Sequence, residues 1–160
     1  MFQLPAGPAS KLEANASPLP DAIRSAKNHS DVYRYWHAIE YLLTQHAPTS
    51  PMAQWLKAGT AVSAHSGDIP AARLIPANDV TEIDRLLQRI EPEDLIPYYD
   101  AAALDAAAVY PRTWQEWEET FDPLGQVLEH YSFLQFAARS CADAGDSLLL
   151  VFEELAEGAV

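Results

Sequence analysis

Residues 147–152 read Ser-Leu-Leu-Leu-Val-Phe, and they follow Gly145-Asp146 at the end of a long helical stripe. A strand with one wet face alternates apolar and polar side chains. A run that is apolar at every step from Leu148 leaves no face for water. It predicts a short strand buried on both sides, and hence helices packed on both faces of a small sheet. The helix before it begins at Asp122, whose carboxylate can cap it, with Pro123 at the first helical position, where its missing N–H costs nothing. Leu124, Val127, Leu128, Tyr131, Leu134, Ala138 and Cys141 sustain a core stripe for about five turns. Gly145 is its natural stop.

Working outward, Val32, Trp36, Ile39 and Leu43 recur at helical spacing and predict a helix over residues 31–46, with Ser30 and Asp31 as capping residues. Pro48 and Pro51 end it, and a shorter helix over 52–57 closes at Gly59. Residues 60–64 and 72–75 are short strand candidates around a turn at 65–68. Val80, Ile83, Leu87 and Ile90 give a second helix over 79–90, capped by Asn78. Pro92 starts a further turn or two through Tyr99. Asp100 caps an alanine-rich segment reaching Val109, and Thr113 caps a short helix to Phe121. Residues 1–30, with Pro5, Pro8, Pro18 and Pro20, read as an irregular proline-rich arm. Within it, Phe2–Leu4 could form an edge strand and residues 21–27 a short helix. The domain division expected is an arm over 1–30, a single domain over 31–153 and an acidic tail over 154–160. The fold class is α+β, a three-layer αβα-like arrangement, helix-rich with a small mixed sheet.

Three stretches carry a family resemblance. These are Tyr35-Trp36-His37-Ala38-Ile39-Glu40-Tyr41-Leu42-Leu43-Thr44, then Leu104-Asp105-Ala106-Ala107-Ala108-Val109-Tyr110-Pro111, and last the helix closing at Ala144-Gly145-Asp146 with its following strand. Over roughly residues 30–153 the chain resembles the YfbM-like family of small bacterial proteins. The resemblance implies an αβα layered fold and supplies no catalytic residues. The chain departs from it at the N-terminus, where the family opens with a glycine-rich strand.

Charge narrows the function further. The net charge is −13, and residues 1–90 hold equal numbers of acidic and basic side chains. The whole excess lies in residues 91–160, where Arg112 and Arg139 are the only bases. A nucleic-acid partner would need a basic face, so that class is disfavoured and a basic protein partner is favoured. The lone Cys141, the absence of a signal-like start and the lack of any long apolar run lead to the expectation of a cytoplasmic protein that neither spans nor anchors in a membrane.

Motifs for catalysis are missing. His37 and Glu40 lie three apart on one helix, which suits a surface pair better than a metal site, and no other ligands fall at metal spacing. Ser66 lacks a nucleophile elbow, and Cys141 belongs to an apolar stripe. Trp36, Tyr110 and Tyr131 sit at core spacing and read as structural aromatics. No metal, cofactor or catalytic set is expected. The densest feature is Trp114-Gln115-Glu116-Trp117-Glu118-Glu119-Thr120-Phe121-Asp122. Its tryptophans can seat a helix on the core while its acids are merely solvated. Alternatively Trp114, Glu116, Trp117, Glu118, Glu119 and Asp122 form an acidic, aromatic surface for a basic protein. The function expected is a non-catalytic acidic binding protein of the immunity or antitoxin kind, neutralising a cationic toxin. The alternatives are a small hydrolase using carboxylates or His37 beside Tyr110, and a ligand-binding or regulatory domain without a toxin partner.

Overall fold

The computed structural model describes residues 1–14, 18–30, 32, 35–49, 58–62 and 72–151. The helix expected over 52–57, the turn at 65–68 and the C-terminal tail lie outside them. Five strands form one sheet in the order β2-β1-β5-β4-β3. They are β1 (Phe2–Leu4), β2 (Asn28–His29), β3 (Thr60–Val62), β4 (Ala72–Ile75) and β5 (Ser147–Val151). Every ladder is antiparallel, where a mixed sheet was expected. Strands this short betray their burial through hydrophobicity but not their direction.

The central strand is β5, and its side chains divide as the unbroken apolar run requires. Leu148 and Leu150 enter one core with Ile75, while Leu149 enters another with Leu4, Val62, Ala72 and Leu74. The larger core is closed by α3 (Trp36–His46), α4 (Ala77–Leu87), the 3₁₀ helix Pro92–Tyr98, α5 (Ala101–Ala106), α6 (Trp114–Glu118) and α7 (Pro123–Ala144). The smaller core is closed by α1 (Ala6–Glu13) and α2 (Leu19–Arg24), through Ala9, Leu12, Leu19 and Ala22. These are the three layers expected of the α+β class.

The irregular reading of residues 1–30 is corrected. The prolines start helices instead of breaking them: Pro5 and Pro18 precede the first helical residues of α1 and α2, and Pro20 lies in the first turn of α2. A proline there loses no helical hydrogen bond. Phe2–Leu4 is a strand as expected, but it is interior, lying between β2 and β5. A buried polar cluster fastens it. Gln3 donates to the Asp146 carboxylate at 2.8 Å, Asn28 donates to Gln3 at 2.8 Å, and Lys27 pairs with Asp146 at 2.6 Å.

On the other face, α4 and α7 pack along each other. The Tyr131 hydroxyl and Gln135 amide donate to the carbonyls of Leu87 and Ile90 at the end of α4. Arg139 bonds Asp84 at 2.9 Å across the same seam. Helix α7 ends in a Schellman turn. Gly145 adopts φ 65°, its N–H reaches Ala142 O at 3.1 Å, and the Asp146 N–H reaches Cys141 O at 2.9 Å. Gly59 also has a positive φ, 73°, but there the backbone of β4 passes so close that a Cβ would overlap the Leu74 carbonyl. Gly145 faces open space. Alanine at 145 should therefore cost about 1 kcal/mol of left-handed strain, and alanine at 59 that strain plus overpacking, about 3 kcal/mol or more. Urea unfolding of the two variants checks the order, and equal costs would contradict the close approach.

Candidate functional site

Helix α6 is too short to hold itself, and its N-terminus is held by a neighbour. The Asp105 carboxylate, on α5, accepts from Trp114 N at 2.8 Å and Gln115 N at 3.1 Å. Thr113, expected as the cap, makes no side-chain capping bond. Trp114 is fully buried and its indole N–H donates to Val109 O at 3.0 Å. It seats the helix and offers nothing to a partner, which removes it from the expected surface. Asp122 is engaged as the cap of α7, accepting from Gly125 N at 2.9 Å.

Of the remaining residues of that set, Glu116, Glu118 and Glu119 are exposed and Trp117 is half-buried. Trp117 lies beside Trp114, and Phe121 packs on it at 5.2 Å with 42% of its surface exposed. Tyr35, just before α3, continues the row, 6.1 Å from Trp117 and 4.6 Å from His130 of α7. Phe133 follows His130 at 5.6 Å and is 44% exposed. Phe121, Trp117, Tyr35, His130 and Phe133 thus form an unbroken ladder of rings with both ends open to water. Sequence spacing gave Trp117 and Phe121. Tyr35, His130 and Phe133 were missed because tertiary packing alone brings them there.

Around this ladder the acids fall into two groups. Asp94, Asp100, Asp105 and Asp122 accept backbone N–H groups at helix starts, and Asp146 is buried in the N-terminal cluster. Glu116, Glu118, Glu119 and Glu129 are exposed, and none takes part in an ion pair among the described residues. The Tyr99 hydroxyl lies against Glu118, and burial, then the Glu118 charge, raises its pKa. The site therefore combines exposed glutamates with a row of rings that is open to water at Phe121 and Phe133 and buried at His130.

Other candidates resolve differently. Cys141 is buried, and burial followed by the Asp146 charge pushes its thiol up to about 11, so it is not a ready nucleophile. His37 does not pair with Glu40. Its Nδ1 accepts the Tyr110 N–H at 3.0 Å, and the Trp36 ring stacks on it at 4.9 Å. Tyr131 is core as expected, while Trp36 and Tyr110 are half-buried. No group of three potential metal ligands occurs among the described residues. No helix among them is long and apolar enough to cross a membrane.

The family comparison matches residues 9–151 to DUF1877, a domain of unknown function. The chain belongs to that family. No curated protein and no solved structure matches it. The match begins within α1 and covers α2, so this family domain includes most of the layer that the sequence suggested was an arm.

Two outcomes follow from the site's geometry. Asp105→Ala should destabilise the protein by about 1–2 kcal/mol through the lost cap of α6, measurable by chemical denaturation. The His37 pKa is lowered, first by burial and then by Arg112, so the folded state favours the neutral ring. Its contribution is complete above the unfolded value of 6.5 and is lost as pH falls from there through the lower folded value. His37→Gln should flatten that limb of the stability–pH curve, and an unchanged slope would contradict the assignment.

Proposed function

We propose that this DUF1877 domain is a non-catalytic binding protein, and that its aromatic ladder and exposed glutamates receive a basic protein partner. The observation that carries the reading is the coincidence of Glu116, Glu118, Glu119 and Glu129, all outward and outside any described ion pair, with five contiguous rings. Exposed ion pairs alone contribute about 0–1 kcal/mol each. Affinity would therefore come from desolvating Phe121, Phe133 and the uncovered part of Trp117, on which arginine stacks well, with the glutamates steering approach. His37 supports the non-catalytic reading over the hydrolase alternative. It lies beside Tyr110, but a backbone N–H occupies its Nδ1, and no carboxylate among the described residues orients it as a base.

A protein of this charge suits neutralisation of a cationic toxin in the cytoplasm, by covering the surface with which such a toxin holds phosphates. The YfbM-like resemblance spans much the same residues as the family match, and we read the two as one grouping.

The test is capture from the native host by the tagged protein, at about 50 mM and about 500 mM salt, with surface variants alongside. A basic protein should be held at low salt and released at high salt. Glu118→Lys with Glu119→Lys should abolish its capture, and Trp117→Ala should weaken it about tenfold or more. Capture of the same proteins by the charge-reversed variant would overturn the proposal.

A further inference from the structure

The acidic layer also carries groups of the opposite character. Arg112 is exposed and belongs to no ion pair among the described residues, although acids greatly outnumber bases on this side of the sheet. Arg139 and Arg85 each hold a carboxylate, while Arg89 is exposed and outside the described ion pairs like Arg112 but does not act on His37. The turn that carries Arg112 gives it a φ of 69° and closes through its N–H to Val109 O at 2.9 Å. A non-glycine residue in that region is strained, so the fold places this side chain against a local penalty.

The same turn fixes His37. Because Nδ1 accepts the Tyr110 N–H, the proton of the neutral ring resides on Nε2, which becomes a donor. Trp36 stacks parallel to the imidazole, at 11°, and holds its plane. Among the described residues the one charge that acts on His37 is that of Arg112, and Glu40 on the same helix does not. A donor nitrogen and a guanidinium without a described counter-ion, joined through one turn, provide N–H groups with no acceptor of their own.

We propose that His37 and Arg112 form a binding site for a small oxyanion, a carboxylate or phosphate group, held by the Nε2–H of His37 and the forked N–H groups of Arg112. The site is independent of the glutamate-rimmed ladder, since it selects the opposite charge. Around it the negative layer repels anions, so binding depends on both donors acting together.

The test follows the His37 ring by NMR with labelled histidine, titrating sodium acetate or inorganic phosphate at ionic strength held constant with chloride. Saturable shifts of the His37 signals are expected with one of these anions. Acetate saturating first assigns a carboxylate, and phosphate first a phosphoryl group. The His37 pKa should rise in the bound state, because an anion favours the protonated ring. Arg112→Gln should weaken binding about tenfold or more. Arg112→Gly, which suits the positive φ and so preserves the turn, should do the same. Shifts that chloride reproduces, or affinity unchanged in both variants, would overturn the site.

Discussion

Burial of β5 on both faces is the constraint from which the architecture follows. With Leu148 and Leu150 on one side and Leu149 on the other, the strand cannot end a layer, and each of its faces needs its own helices. Shifting its register by one residue would exchange the two sets and mismatch both cores. Its neighbours come from distant parts of the described chain: β1, near the N-terminus, lies on one side and β4, from the middle, on the other. The N-terminal segment therefore completes the sheet and supplies the second helical layer. The polar cluster of Gln3, Asn28, Lys27 and Asp146 sits where the two ends meet, and Asp146 immediately precedes β5. A buried carboxylate there is tolerated because it is hydrogen-bonded and paired with a lysine.

The acid-rich composition has two physical origins that net charge cannot separate. The segment from Pro92 to Gly125 is broken into short helical pieces, and each start leaves N–H groups unsatisfied. Aspartates answer that need at Asp94, Asp100, Asp105 and Asp122. The glutamates largely remain outward. The division follows from side-chain length: aspartate reaches nearby N–H groups in compact turns, while the longer glutamate on a helix extends into water. The charge available to a partner is thus smaller than −13 suggests and is concentrated in fewer residues.

Local signals were legible in the sequence. Asp100, Asp122 with Pro123, and Gly145 cap as their types require, and the stripes of α4 and α7 are buried where the 3.6-residue period places them. What could not be read was pairing across the chain. Asp105 as the cap of α6, His37 beneath Tyr110, and Tyr35 between Trp117 and His130 each join elements whose approach is set by the finished core. The N-terminal prolines were misread for a different reason. Proline breaks a helix interior and fits a helix start equally well, so its meaning depends on a boundary that only packing fixes.

The ladder and the His37–Arg112 pair have opposite preferences, yet they share a mechanical link. Tyr35 and His37 flank Trp36 in adjacent positions at the start of α3. The turn that receives His37 also supplies, at Val109, the carbonyl that holds the Trp114 indole, and Trp114 packs on Trp117. Moving that turn would disturb the seat of α6 and, with it, the rings that Trp117 joins. Packed interiors transmit such shifts because they have little free volume to absorb them. If one site tightens the turn and the other requires it tight, the two bindings reinforce each other, and the reinforcement must be equal in both directions. Under the two proposals, one short loop would then be the route by which an anion sets the affinity for a cationic partner.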